Sequence, residues 1–392
     1  MDMAIRNFSH LSEPLDSIKI KGRPPGCDEI SLLLQGGGAL GAYQAGVYQA
    51  LHEAGVEPDW LVGVSIGAIN SAIIAGNPAE KRLERLEEFW TTVTANDPYT
   101  VWPDGDWPRK MRNALSATNT ILFGQPGFFR PNIINAWLAP RGSRMATSFY
   151  DSSQLYATLN KLVDFELINS GKTRFAVGAV NVATANFVYF DNATIDIGPH
   201  HIMASAALPP ALPMVRIGQN YYWDGGLVSN TPLLHLLENC GSQNTLVFQV
   251  DLFSARGGLP RDMAEVLTRQ KDIHYSSRTR TTNDNYMRLH KMQQNLRDVL
   301  ALVPDDKLTP ELQKQKADLE RLPAINIMQL IYRQKAYEGG AKDYEFSRLS
   351  MKEHWRSGYF DTCNTLQHRD WLDMSTIGDG ITTHDIHRER GD

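Results

Sequence analysis

The chain has 392 residues, a net charge of −5, 42% hydrophobic residues and 21% charged residues. This balance excludes a disordered chain and lacks the basic surplus of a nucleic-acid binder. Its three cysteines, Cys27, Cys240 and Cys363, lie too far apart for a metal set and read as free thiols of a reducing compartment.

Residues 1–28 read as a lead-in that runs through "KGRPPGCD". It has no apolar h-region, and nowhere do ~18 apolar residues run together, so the expectation is a cytoplasmic protein whose membrane contact, if any, is peripheral. Residues 29–262 read as one α/β domain. "EISLLL" is a buried strand, and a helix of about 12 residues follows, with Tyr43, Val47 and Leu51 four apart and Gly55 at its end. "PDWLVGVS" is a second strand, and "IGAINSAIIAG" is a small-residue helix. This alternation predicts a parallel sheet. Residues 80–93 form an amphipathic helix with Leu83, Leu86, Trp90 and Val93 on one face.

Periodicity is lost over 95–150, an insertion rich in proline, glycine and aromatics: Trp102, Trp107, Phe123, Phe128, Phe129 and Trp137. It reads as a lid or acyl-pocket wall, with Phe128 and Phe129 as candidates, or as a satellite core under a long loop. Residues 173–197 alternate as two or three strands, and "TLVFQVDLF" at 245–253 is another buried strand. Residues 263–392 read as a mostly helical, polar extension.

Gly36, Gly38 and Gly41 in "LLLQGGGALGAYQAG" fit G-x-G-x-x-G after a strand, the fingerprint of a dinucleotide site. The same spacing suits an oxyanion hole of backbone N–H groups. A dinucleotide site needs an acidic residue at the end of the next strand. Asp59, Glu53 and Glu57 all precede that strand. At its end stands Gly63-Val64-Ser65-Ile66-Gly67 instead, a G-x-S-x-G on a strand-to-helix turn. Such a turn exposes a serine hydroxyl, and its flanking glycines let neighbouring chain pass closely. Too few strands precede Ser65 for an α/β-hydrolase. The spacing sets Gly36–Gly38 and Ser65 at the ends of adjacent parallel strands.

A base must accompany the serine. Asp224 ends an aromatic strand in "YYWDGGLVSNTP", and Gly225 and Gly226 behind it permit close approach to another loop. A plain Asp-Gly turn is the alternative. His200 and His201 form the one adjacent histidine pair, and they read as helix-start or packing residues.

Together, "GGGALG", "GVSIG" and "DGG", with "ASAALPPALPMV" and "GQPGFFRP", resemble the patatin-like phospholipase family over residues 29–260. The resemblance implies a three-layer α/β/α sandwich with a mainly parallel central sheet. It implies lipid acyl hydrolysis by a Ser–Asp dyad with neither a catalytic histidine nor, as a rule, a metal or cofactor. Carried over, Ser65 is nucleophile, Asp224 base, and Gly36, Gly37 and Gly38 the oxyanion donors. Gly63, Gly67, Gly225 and Gly226 support the turns. Gln35 departs from the Asp or Gly common in the family, and Leu40 from its Arg or Lys. "KDYEFSRLSMKEHWRSGY" resembles a C-terminal extension of bacterial relatives. A carboxylate with an ordinary pKa near ~4 is a weak base at neutral pH, which favours esters or thioesters over amides. The expected partner is a lipid or other acyl-ester substrate, with no nucleic acid and with oligomerisation left open. An acyltransferase or thioesterase using the same dyad, and a non-catalytic lipid-binding protein, remain the alternatives.

Overall fold

The computed structural model describes residues 22–94, 105–277, 279–319, 322–376 and 380–387. The lead-in up to residue 21, and residues 95–104 with Trp102, lie outside the described residues.

Strand β1 (Glu29–Leu34) runs through the glycine loop and a short 3-10 turn into helix α1 (Ala42–Glu53). Strand β2 (Trp60–Val64) runs into α2 (Ile66–Ala75), and α3 (Ala79–Val93) follows. Helix α4 (Asp106–Phe123) occupies the insertion, which ends in a two-residue ladder of β3 (Arg130–Pro131) and β4 (Tyr150–Asp151). Then come α5 (Ser153–Leu162), α6 (Phe165–Asn169), β5 (Arg174–Asn181), β6 (Phe187–Asp191) and α7 (Pro199–Ser205). The hairpin β7 (Val215–Ile217) and β8 (Asn220–Asp224) leads to α8 (Leu233–Asn239) and β9 (Thr245–Asp251). The rest of the chain forms α9 (Met263–Tyr275), α10 (Thr279–Ala301), α11 (Pro310–Leu319), β10 (Ala324–Ile331), α12 (Arg348–Leu366), α13 (Arg369–Leu372) and β11 (Gly380–His384).

One sheet has the strand order β11-β10-β9-β1-β2-β5-β8-β7, with β6 also on β5. The pairs from β11 to β5 are parallel, and β6, β7 and β8 are antiparallel additions. Side chains alternate between two apolar layers, as the pleat requires. Ile30, Leu32 and Leu34 enter the larger cluster with α1, α2, α3 and α12, whereas Leu33 enters the smaller one with α8. Helices thus cover both faces, giving three layers.

The C-terminal region is largely helical, but it also supplies two strands. Strand β10 pairs with β9 over seven residues, and β11 pairs with β10. Ile325 and Ile327 point into one layer and Met328 and Leu330 into the other. Helix α12 packs along α1 at van der Waals distance because both contribute glycine at the crossing. A Cβ on Gly46 would collide with the Trp355 carbonyl, and one on Gly358 with the Tyr43 carbonyl.

The insertion is more ordered than its composition suggests. Helix α4 buries Arg109, Arg112, Asn113, Ser116 and Thr120, and leaves Trp107, Met111, Leu115 and Leu122 exposed. Phe128 is buried in the main core beside Phe346, and Phe129 packs against that core and Tyr150.

Candidate active site

The ends of β1, β2 and β8 converge at one end of the sheet. In register, Leu34 on β1 faces Gly63 on β2, so the residues that follow, Gly36 and Ser65, lie side by side. A Cβ on Gly36 would sit 2.9 Å from the Ser65 Cβ. Val64 pairs with Gly178 on β5, and Asp224 pairs with the next residue, Ala179. Asp224 therefore reaches the serine across a single glycine-bearing strand. Gly225 carries that approach further: a Cβ there would stand 2.6 Å from the Gly178 carbonyl oxygen and 3.1 Å from Val64.

Ser65 has φ 57° and ψ −123°, a conformation that L residues rarely hold. The turn is forced by the start of α2 pressing on β1. Gly67 lies so near the Leu34 carbonyl that no side chain fits, and Gly63 in turn abuts the Gly67 carbonyl. The Ser65 N–H donates to Ser205 Oγ at 3.0 Å, which fixes the turn from α7.

Asp224 is buried. Its Oδ1 accepts from the Gly226 N–H at 2.7 Å, while Oδ2 has no hydrogen-bond partner of good geometry among the described residues. Burial pushes the Asp224 pKa up to about 7, against the pull of the Ser65 hydroxyl and the Gly226 N–H. This corrects the expectation of an ordinary, weakly basic carboxylate. Its basicity is thereby brought near that of imidazole.

The glycine loop presents free donors. Among the described residues nothing accepts from the N–H groups of Gly36, Gly37 or Gly38, whereas those of Ala39 and Leu40 go to the Asp343 and Gly37 carbonyls. Gly38 has φ 54°, and a Cβ there would strike the Asp343 carbonyl oxygen. Gln35 clamps the loop from below. Its Oε1 accepts from the N–H groups of Leu252 (2.6 Å) and Phe253 (3.1 Å), and its Nε2 donates to Thr231 Oγ1 and the Tyr275 carbonyl. Gln44 Nε2 donates to the Gln35 carbonyl at 2.6 Å. Leu40, where the family often carries a cation, is fully buried in the main core.

Sequence reasoning missed four contributors: Ser205, Asn230, Tyr275 and Asp343. Asn230 Nδ2 donates to the Gly36 carbonyl at 3.0 Å. Its only signal in the sequence is the N-x-P that follows "DGG". Tyr275 and Asp343 act through backbone carbonyls, which leave no mark in a sequence. His201 Nδ1 accepts from the Gly198 N–H at 2.9 Å at the start of α7, and His200 packs on Tyr156, so both fill the expected structural roles. A cavity of about 1810 Å³ borders α9 and residues 332–342, but neither Ser65 nor Asp224 lines it.

A family model for patatin-like phospholipase matches residues 32–237, and a second, described as patatin phospholipase, matches residues 273–376. An uncharacterized NTE family protein of Mycobacterium tuberculosis is 29% identical over 204 residues, which is 52% of this chain and 27% of that protein. Lysophospholipase nte1 of Aspergillus terreus is 52% identical over 69 residues, which is 16% of this chain and 4% of that protein. The chain thus spans about a quarter or less of these relatives' length. The crystal structure of VipD from Legionella pneumophila aligns with a TM-score of 0.39 at 15% identity, covering 89% of this chain and 70% of that one. With a family model over more than half its length, the chain belongs to the patatin-like phospholipase family.

Proposed function

We propose that this chain is a serine lipid acyl hydrolase, a carboxylic ester hydrolase working through Ser65 and Asp224. The observation that carries the reading is the Asp224 carboxylate, buried and raised to about 7, interacting with the hydroxyl of a serine in a strained turn. About half of such a group is ionised at neutral pH and able to accept a proton.

In the first step Asp224 takes the Ser65 proton as Oγ bonds to the ester carbonyl carbon. The carbonyl oxygen becomes an oxyanion and is received by the free N–H groups of Gly36–Gly38. Collapse breaks the ester C–O bond, and the proton on Asp224 passes to the leaving alcohol oxygen. Water then gives a proton to Asp224, attacks the acyl-enzyme and releases the fatty acid, and the proton returns to Ser65. No histidine is required, since burial raises the carboxylate to the same working range.

A p-nitrophenyl acyl ester and a fluorophosphonate probe test this. Wild type is expected to turn over the ester and to carry one adduct on Ser65, and Ser65→Ala to do neither. Wild-type-like turnover by Ser65→Ala would sink the reading.

A further inference from the structure

We propose that the 105–150 segment docks this protein onto an anionic lipid surface, with the outer face of α4 and the turn at Trp137-Leu138 entering the interface. This rests on the reading of the chain as a lipid hydrolase, and it names where the lipid is met.

Helix α4 is turned inside out. A helix at the surface of a water-soluble protein buries its apolar stripe and exposes its charges. Here Trp107, Met111 and Leu115, one turn apart each, point outward, and the polar face points inward. That inward face is held by specific bonds: Arg109 donates to Ser350 Oγ at 3.0 Å and to Glu353 at 2.8 Å. The helix cannot simply roll over without breaking a partly buried ion pair. The turn that follows exposes Ile133, Trp137 and Leu138 by 99%, 86% and 82%. Tyr150 joins it to α4 by donating to the Ile121 carbonyl at 2.8 Å.

Charge identifies the occupant. Residues 105–150 hold six Lys and Arg against one acid, Asp106, a net +5; Arg109 and Arg112 are buried and Arg130 pairs with Asp151, which leaves Lys110, Arg141 and Arg144 as the cations of the outer surface. The chain as a whole is −5, so everything outside the segment is −10. Exposed Lys110, Arg141 and Arg144 accompany exposed indoles, the pairing that suits an anionic headgroup layer over acyl chains. A second copy of the chain suits it less, because a twofold contact would bring the basic side chains toward their own copies. The segment is also clipped to the candidate site. The N–H groups of Phe149 and Tyr150 donate to the Pro210 and Ala211 carbonyls, and the Ala207 carbonyl in the same stretch accepts from the Asp224 N–H.

The test is sedimentation of the full chain with vesicles of phosphatidylcholine, alone or with about 30% phosphatidylglycerol. Wild type should favour the anionic vesicles about tenfold, and Trp107→Ser/Trp137→Ser should lose about tenfold in binding, with its far-UV spectrum and melting unchanged. Ser65→Ala should bind as wild type does, so a failed hydrolase reading leaves this result standing. Three outcomes overturn the proposal: wild type stays in the supernatant with both vesicles, the double variant binds undiminished, or wild type is a dimer without lipid that the double variant dissociates.

Discussion

Asn230 joins Gly36 to Tyr275: its side-chain amide donates to both carbonyl oxygens at 3.0 Å. One residue thereby fixes the glycine loop against the end of α9. Asn230→Ala is expected to lower kcat on a soluble ester by about 10- to 100-fold through loss of donor alignment, with much less change in KM. An unchanged kcat in steady-state kinetics would show that the loop holds its geometry without this tie.

The backbone of Ser65 predicts a difference between two inactive variants. At φ 57° glycine fits and alanine is strained. Ser65→Gly should therefore exceed Ser65→Ala in stability by about 1 kcal/mol in guanidinium unfolding. Equal stabilities would mean that the turn relaxes once the hydroxyl is gone.

Asp224 links activity and stability to pH in opposite senses. As the proposed base it must be ionised, so kcat/KM should rise through an apparent pKa of about 7. Its folded pKa lies above the ordinary value of 3.8, so the folded protein holds a proton that the unfolded chain has released. This contribution to stability therefore falls as pH rises from about 4 to about 7, and then levels off. Asp224→Asn should remove that decline and gain on the order of a few kcal/mol at pH 8 while losing turnover. Melting curves of both proteins across this range measure the effect.

The crossing of α1 and α12 predicts that the C-terminal region is needed for folding. Gly358→Val should destabilise by about 3 kcal/mol or more, since its side chain would meet the Tyr43 backbone. A chain ending at residue 262 should aggregate, because β9 loses its neighbour β10 and becomes an open, apolar edge. Soluble, cooperatively melting material from either variant would count against this.

The catalytic candidates were legible because each sits on a local signal. Glycine spacing after β1, G-x-S-x-G after β2 and Asp-Gly-Gly after β8 are requirements of turns, and turns are read within a few residues. Helices α1 and α3 also followed from apolar spacing. Residues 324–331, "AINIMQLI", were passed over because two polar residues interrupt the apolar run; Asn326 and Gln329 are buried and hydrogen-bonded in the fold. Helix α4 carries an apolar stripe at helical spacing, Trp107, Met111 and Leu115, that the proline and glycine around it obscure; what no periodicity reveals is that this stripe faces outward. The basicity of Asp224 was misjudged for another reason: desolvation depends on what encloses a side chain, and its neighbours come from distant segments.

Asp343 and Tyr275 give the bonding of the glycine loop a temporal meaning. The loop, Ser65 and Asp224 all lie within the first 224 residues, yet the carbonyls that brace the loop lie at 275 and 343. A growing chain on the ribosome therefore carries Ser65 and Asp224 long before it can hold the glycine loop in place. Under the proposed function, the same dependence keeps a nascent or prematurely released polypeptide from attacking the cell's own lipids.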